Sequence, residues 1–364
     1  MFARIGRSEW RRQRLLILCY HGVSLADEHE WSDVYISQER LRQRLETLRK
    51  LTRSILPLDD ALQRLTSGDL PPCSVAITFD DGLHDFYAKS YPLLREFEIP
   101  ATVYVPTYYS KHRRPIFDVA CSYLLWRGRG RSVETGRLLP SNERLVVPVD
   151  EDERRELHLA VRAHVNELGF SAVEKDDMLA ALARQLGVDW DDFLDRRMLQ
   201  SMSPAEISAL DPRLVDVQLH THRHRSPRDE ALFMRELDDN IAALDAMGLP
   251  PRERTHFCYP SGDADPVFYP WLRARAITSA TTCQPGIAHR DSHLLDLPRV
   301  IDTMAMTETE FHGWVTGASA FLPKRRFRPE GWDDLPARGG KPRIRQPAAA
   351  PRTASLETDD VYAD

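Results

Sequence analysis

The most informative stretch of the chain is residues 75–82, which read VAITFDDG. Its first five residues are rich in β-branched and aromatic side chains, which predicts a buried strand. Two neighbouring carboxylates, Asp80 and Asp81, follow this strand and precede Gly82, a combination typical of a tight turn. Two carboxylates on one turn repel each other, and a nearby cation removes that cost. Because a lone Asp-Asp-Gly is more often a turn than a catalytic site, the rest of the chain must distinguish the two interpretations.

Short apolar runs on both sides of this stretch alternate with helical patterns. Ser37 is placed to cap a helix whose leucines recur at helical spacing, and residues 58–67 have the pattern of another helix. This alternation predicts the α/β class, with a mainly parallel sheet and helices outside it. The predicted strands are residues 15–20, 54–56, 75–79, 101–105, 215–219, 255–258 and 277–281.

The alternation stops after residue 105 and resumes near residue 215. Residues 111–210 are charged and helical in pattern, with predicted helices at 151–168 and 172–186, and the segment exceeds any normal loop. Its last helix is predicted to begin at Ser203, followed by Pro204 and by Glu206, which completes a capping box. We divide the chain into a first α/β part at 1–110, a mostly helical insertion at 111–210, a second α/β part at 211–322 and a disordered tail at 323–364.

The composition is that of an ordinary globular protein, with 42% hydrophobic and 29% charged residues in a chain of 364. A formal net charge of -6 gives no attraction to polyanions, so no nucleic acid partner is expected. The five cysteines are far apart, which favours free thiols in a reducing compartment.

No apolar run fits a secretory signal or a membrane span. We therefore expect a cytoplasmic protein without an integral membrane segment, with peripheral contact through the basic N-terminus as an alternative. The oligomeric state is not predicted.

The candidate reactive side chains, among them Asp80, Asp81 and His220, each follow a predicted strand. In a parallel barrel such positions meet at one end, where active sites form. His220 and His224 lie on one side of either an extended or a helical segment, and His222 joins them only if the segment is extended. Two histidines and a carboxylate suit a catalytic metal that keeps one position open for water. A chance grouping of histidines on the surface would explain this cluster about equally well. A metal site is favoured only because the histidines and the carboxylates all follow predicted strands and would meet at one end of a barrel.

Four motifs together resemble the polysaccharide deacetylases with a NodB-homology domain, carbohydrate esterase family four. The motifs are Thr78-Phe79-Asp80-Asp81-Gly82, His220-Thr221-His222-Arg223-His224, Phe257-Cys258-Tyr259-Pro260-Ser261-Gly262 and Leu297-Pro298-Arg299-Val300. They span most of the chain outside the insertion and the tail. The resemblance implies a distorted (β/α) barrel with a helical insertion, and a hydrolase that acts on carbon–nitrogen bonds other than peptide bonds.

The resemblance also implies a role for each matching residue. Asp80 would be the general base, whereas Asp81, His220 and His224 would bind the metal. The metal and the backbone N–H of Tyr259 would stabilise the oxyanion.

A leaving amine needs an acid, and a histidine is the usual donor near neutral pH. No Leu-x-His motif follows Arg299, but Cys19-Tyr20-His21-Gly22 resembles the Tyr-His start of relatives in which that strand stands at the N-terminus. His21 is therefore the candidate acid, with a packed core histidine as the alternative.

Many relatives have an arginine where this chain has Cys258. Arg299 could orient Asp80 instead, unless it is merely a surface residue at a strand end.

Zinc is the first choice of divalent metal because the ligands are mixed nitrogen and oxygen, with nickel, cobalt or iron as alternatives. The expected substrate is an N-acetylated carbohydrate. Two other functions stay open at this point: hydrolysis of another carbon–nitrogen bond or of an O-acetyl ester, and carbohydrate binding without catalysis.

Overall fold

A computed structural model describes residues 5–6, 8–52, 54–112, 114–141, 143–249 and 254–322. The predicted disordered tail at 323–364 lies outside these residues. The described residues form two compact units, one made of the residues up to Ile116 together with those from Leu194 onward, and the other made of Phe117–Phe193. Within the described ranges, no helix has both the length and the apolar character needed to cross a membrane.

The first unit is a closed barrel of seven parallel strands in the part of the chain that the structure describes, which confirms the predicted (β/α) barrel. Each strand pairs with the next in chain order, and the last pairs with the first. The barrel strands are β1 (Arg14–Tyr20), β2 (Val75–Phe79), β3 (Ala101–Val105), β4 (Val215–Leu219), β5 (His256–Cys258), β6 (Ser279–Pro285) and β7 (Leu297–Ile301).

The barrel is uneven on one side. The pairing of β4 with β5 has a single register pair, Leu219 with Phe257, and the register shifts between Thr281 and Pro285 in β6. Short additional strands lie at Gly22–Val23, Tyr35–Ile36 and Ala288–His289, the last of which pairs antiparallel with β1.

The sequence patterns that predicted the strands and helices also explain why these elements form. Every residue of β1 from Leu15 to Tyr20 is buried, as expected for a parallel strand covered on both faces. The helices are α1 (Glu9–Arg12), α2 (Glu28–Trp31), α3 (Gln38–Leu51), α4 (Leu58–Ser67), α5 (Tyr91–Phe97), α6 (Phe117–Arg127), α7 (Glu151–Glu167), α8 (Ala172–Gln185), α9 (Trp190–Asp195), α10 (Pro204–Ser208), α11 (Glu230–Ala246), α12 (Phe268–Arg273) and α13 (Glu308–Thr316). In α3 the hydroxyl of Ser37 accepts the N–H of Arg40 at 3.1 Å, which confirms the predicted cap.

Three local predictions differ from the structure. The predicted strand at 54–56 is a single bridge from Ile55 to Val75, because the run is short and Pro57 follows it. The helical pattern from residue 85 begins as a π-helix at Phe86–Ser90 before α5. The Leu297–Ile301 segment, which is absent from the predicted strands, forms the strand β7 that closes the barrel.

The second unit is mainly helical and includes an antiparallel ribbon of Ser132–Glu134 and Arg144–Val146. Its helices α7 and α8 occupy nearly the predicted ranges. Gly128 is tightly packed, since a Cβ there would stand 2.3 Å from a methyl group of Leu186. The helix α10, which belongs to the first unit, has the predicted capping box of Ser203 and Glu206.

Candidate active site

The candidate reactive residues lie at one end of the barrel because parallel strands end together there. Tyr20 pairs with Phe79, and Leu219 pairs with both Val105 and Phe257. The residues that follow these positions therefore reach the same face. They are His21 after β1, Asp80 and Asp81 after β2, His220 after β4, and Tyr259 close after β5.

The turn after β2 has a left-handed backbone at two successive residues. Asp81 has a φ of 68° and Gly82 a φ of 52°. Aspartate tolerates this conformation better than most residues, and glycine adopts it without strain. A Cβ on Gly82 would also lie 3.0 Å from both methyl groups of Val105. Both the conformation and the close approach of β3 therefore favour glycine at this position.

Asp81, His220 and His224 converge on one point. The Oδ1 atom of Asp81 lies 3.2 Å from Nε2 of His220 and 3.1 Å from Nε2 of His224. The three potential ligand atoms all lie within 4.8 Å of one another. Burial alone would raise the pKa of Asp81, but the two imidazoles hold it well below its usual range. These residues fit a divalent cation that binds two nitrogens and one oxygen and keeps a position open.

The ring of His220 is already oriented for metal binding. Its Nδ1 atom lies 2.8 Å from the backbone carbonyl oxygen of Cys258, which can only accept a hydrogen bond. Nδ1 therefore donates a hydrogen bond to this carbonyl, and Nε2, which faces Asp81, is the nitrogen available to a metal. A carbonyl partner on the far nitrogen is the usual support of a metal-bound histidine.

Asp80 is bound by Arg299 through both carboxylate oxygens. The Nη1–Oδ1 distance is 2.7 Å and the Nη2–Oδ2 distance is 2.6 Å, and both side chains are buried. Burial would raise the pKa of Asp80, but the charge and hydrogen bonds of Arg299 outweigh it and lower the pKa below the usual range. Arg299 is therefore not a surface residue, and Asp80 is ionised.

His21 lies beside Asp80, with 3.6 Å between its Nε2 and the Oδ2 of the carboxylate. Burial lowers the pKa of His21, and the negative charge of Asp80 opposes this effect. Its Nδ1 is 3.9 Å from the thiol of Cys19. The structure thus brings His21, Asp80 and the candidate metal ligands together.

The backbone N–H of Tyr259 is engaged in the barrel sheet. It donates to the carbonyl oxygen of Thr281 over a long distance of 3.3 Å. The phenol of Tyr259 points elsewhere, to the carbonyl of Leu295 at 2.9 Å. A role for this N–H in binding an oxyanion would require exchange of the bond to Thr281.

His222 stands apart from the metal-ligating group. Its Nδ1 lies 2.8 Å from the hydroxyl of Thr107, and it is not among the clustered ligand atoms of the described residues. The structure thus places His220 and His224 beside Asp81, and His222 beside Thr107.

Two thiols whose contact with the candidate base was not predicted from the sequence lie beside Asp80. Cys258 lies 3.3 Å and Cys19 3.6 Å from Oδ2 of Asp80, and burial raises the pKa of both thiols well above the usual range. They therefore stay protonated and donate weak hydrogen bonds to the carboxylate. The alternation of side chains along β1 could have indicated Cys19, since it stands two residues before His21.

Comparison with known proteins points to one family. A family model described as polysaccharide deacetylase matches residues 67–121. The poly-beta-1,6-N-acetyl-D-glucosamine N-deacetylase of Staphylococcus aureus (strain N315) is 27% identical over 110 residues, covering 27% of this chain and 38% of the relative. The chain thus spans well under half of the curated relatives that it matches.

Two solved structures share the fold over nearly their whole length. The deacetylase PplD of Streptococcus pyogenes, in complex with acetate, covers 82% of this chain and 96% of its own at 16% identity, with a TM-score of 0.53. IcaB from Ammonifex degensii covers 84% and 97% at 19% identity, with a TM-score of 0.51. The predicted resemblance to polysaccharide deacetylases and the predicted barrel type are confirmed.

Proposed function

We propose that this chain, which resembles polysaccharide deacetylases in sequence and fold, is a metal-dependent hydrolase that removes N-acetyl groups from a carbohydrate. The proposal rests on one observation: the neighbouring carboxylates of Asp80 and Asp81 face different partners. Asp81 faces two imidazole nitrogens at 3.1 and 3.2 Å, whereas Asp80 faces Arg299 and His21. One carboxylate is placed to bind a cation and the other to move a proton.

The proposed metal ligands are Asp81, His220 and His224. A divalent cation bound there would polarise the acyl carbonyl and lower the pKa of a water molecule toward neutrality. Zinc is our first choice because the donor set is mixed, and nickel, cobalt and iron suit the same donors.

Asp80 is the proposed general base and His21 the proposed general acid. Arg299 keeps Asp80 ionised and fixes both of its oxygens, so the carboxylate is ready to accept a proton in one orientation. The same ion pair makes Asp80 a weak base, so a proton on it is readily passed on. His21, 3.6 Å away, is the neighbouring group that can protonate the leaving amine.

Oxyanion binding is assigned to the metal and to the N–H of Tyr259, which would exchange its long bond to Thr281 for one to the developing charge.

The proposed substrate is a glycan that contains N-acetylglucosamine. Support comes from the curated relatives, whose name specifies a β-1,6-linked polymer of that sugar. The length and linkage of the glycan are left to experiment, and the cytoplasmic location stays a prediction from the sequence.

An assay of acetate release tests this function. The purified chain is incubated with N-acetylglucosamine oligomers and with O-acetylated sugars, with and without a chelator, and hydrolysis of a cyclic amide is followed separately by formation of its ring-opened acid. We expect acetate from the N-acetylated oligomers, loss of release on chelation, and recovery with added zinc. Asp81→Ala should abolish metal binding and release, whereas Asp80→Asn should keep metal and sugar binding but lose turnover.

A second acidic pair provides the control. Asp59 and Asp60 lie in the first turn of α4, and the side chain of Asp59 is 79% exposed. Asp59→Asn should leave acetate release unchanged. Sugar binding without any acetate release would support the non-catalytic alternative, and release that survives chelation would contradict the metal mechanism.

A further inference from the structure

The loop that carries His220 and His224 has a conformation that its own sequence does not favour. Thr221 has a φ of 59° and His224 a φ of 55°, and neither is a glycine. Left-handed residues of this kind persist only where the surroundings hold them. The hydroxyl of Thr221 accepts the N–H of Arg225 at 3.1 Å, which supports one side of the loop. The loop also contacts Thr107 and Tyr108 through His222, and further support comes from the helix α11.

Two polar residues on the buried face of α11 contact this loop. Glu236 and Asn240 are completely buried and stand four residues apart, so they lie on the same face as the buried Phe233, Leu237 and Leu244. Apolar residues are expected at such positions, and a buried carboxylate is costly unless it is paired. Their presence therefore requires partners that repay the cost.

Asn240 fixes the backbone at the first proposed metal ligand. Its Oδ1 accepts the N–H of His220 at 3.0 Å, and its Nδ2 donates to the carbonyl of Val105 at 3.0 Å and to the hydroxyl of Thr107 at 2.9 Å. The same hydroxyl lies 2.8 Å from Nδ1 of His222. One amide thus ties the end of β4 to the end of β3 and to the loop.

Glu236 holds the middle and the far end of the loop. Its Oε2 accepts the N–H of Arg223 at 2.7 Å, and its Oε1 accepts from Nε of Arg225 at 2.7 Å and from Nη1 of Arg223 at 3.3 Å. The backbone carbonyl of Glu236 accepts the N–H of His222 at 3.1 Å. The negative charge is thereby paired with two arginines on either side of His224.

We infer that Glu236 and Asn240 are positioning residues that set the His220–His224 loop in its metal-binding shape before the metal arrives. Their hydrogen bonds run to the backbone and the arginine side chains of the loop and not to the proposed ligand atoms. The inference rests on the proposed metal site. Partners of this kind typically change metal affinity by roughly 10- to 100-fold when they are removed.

Metal affinity is the direct test. Zinc binding is measured by competition with a chromophoric chelator, and cobalt binding by its visible absorption, on Glu236→Gln, Asn240→Leu and the unmodified chain. Asp238→Asn is the matched control, because Asp238 is an exposed residue of the same helix that pairs with Arg275. We expect the dissociation constant to rise at least tenfold in Glu236→Gln and Asn240→Leu and to stay within twofold in the control.

The outcomes distinguish failure of the positioning role from failure of the proposed metal site. If the two variants fold and bind zinc as tightly as the control, the positioning role is wrong while the metal site stands. If the unmodified chain binds neither zinc nor cobalt, the metal site and the inference both fall. Should the buried variants not fold, Arg225→Gln removes one donor to Glu236 from a half-exposed side chain, and an unchanged dissociation constant there contradicts the inference.

Discussion

At the scale of single residues, the buried negative charge of Asp80 depends on the guanidinium group of Arg299. Arg299 is its bidentate partner, donates also to the hydroxyl of Thr78 at 3.0 Å, and has no exposed surface. Removing one partner of a buried ion pair typically costs about 3–5 kcal/mol, because the other charge stays buried and unpaired. We therefore predict that Arg299→Met loses most acetate release and about that much free energy of unfolding at pH 7.

The loss of unfolding free energy in Arg299→Met should depend on pH. In the unmodified chain the pKa of Asp80 is lowered, so its stabilisation is present above the unfolded pKa of about 4 and is lost as the pH falls below it. In Arg299→Met the effect of burial, which raises that pKa, is opposed only by the weaker effects of His21 and His220, so the carboxyl is protonated more easily. The difference between the two proteins should shrink as the pH falls from 7 toward 4, where the variant takes up its proton, and shrink further below pH 4, where the unmodified chain loses its stabilisation, as measured by urea unfolding with chelator present.

An exposed arginine provides the comparison for this variant. Arg213 pairs with Asp211, and its side chain is 88% exposed. Arg213→Met should change the unfolding free energy little at any pH. A stability difference for Arg299→Met that does not vary with pH would contradict the assignment of its cause to Asp80.

Cys258 leads to a second prediction, that restoring the arginine common in relatives harms this chain. Its thiol lies 3.2 Å from Nη2 of Arg299 and 3.3 Å from Asp80, in a fully buried setting. Cys258→Arg would place two guanidinium groups on one carboxylate and overfill the barrel interior. We expect little folded protein from Cys258→Arg, judged by circular dichroism and solubility.

The near-isosteric Cys258→Ser is the control for that substitution. It keeps a donor to Asp80, and we expect it to fold and to retain acetate release. Normal folding and full activity of Cys258→Arg would show that Arg299 can be replaced from this position.

The ion pair with Arg299 could be suggested from sequence but not established. The motif at Leu297–Val300 pointed to Arg299, yet the contact requires β7 to pair with β1, more than 280 residues away along the chain. Pairing at that distance depends on how the whole barrel closes, which local patterns do not encode. Asp81, His220 and His224 were easier, because each follows a strand that its own apolar run predicts.

At the scale of elements, the turn after β2 links backbone conformation to the site. Gly82 has a left-handed φ of 52° and close contact with Val105. We predict that Gly82→Ala destabilises the chain by about 1–2 kcal/mol through the backbone, with an added cost from displaced Val105, and weakens zinc binding by shifting Asp81. Urea unfolding and a zinc titration measure the two effects.

Gly248 separates the two causes in that variant. It follows α11 with a φ of 69°, and a Cβ there would meet nothing within 4 Å. Gly248→Ala should show only the backbone cost and unchanged zinc affinity. Equal effects of the two substitutions would mean that the approach of Val105 has no influence on the site.

The elements with strong local patterns were the ones predicted well. The strands β2, β3 and β4 have the predicted bounds, and α4 has them too. The strand β6 begins two residues late and continues to Pro285, since its register with β7 shifts. Polar support such as Asn240 was missed because a helical pattern predicts which face is buried but not which polar partner that face meets.

At the scale of the whole molecule, the proposed metal joins distant parts of the chain. Asp81 and His220 are 139 residues apart, with the insertion between them. A cation that binds both closes a long loop, and it stabilises the folded state because the unfolded chain lacks the site. All its proposed ligands belong to the first compact unit, which contains the barrel.

Metal removal should therefore lower the stability of that unit and leave the stability of the other unit nearly unchanged. At a free zinc concentration 100 times the dissociation constant, the expected gain in unfolding free energy is about 2.7 kcal/mol. Hydrogen exchange with zinc and with chelator should show added protection at the ends of β2 and β4 and around α11, with little change in Phe117–Phe193. Asp81→Ala should abolish the gain. Equal gains in both units, or a gain that survives in Asp81→Ala, would place the cation elsewhere, because only a ligand at the barrel end can tie these two strand ends together.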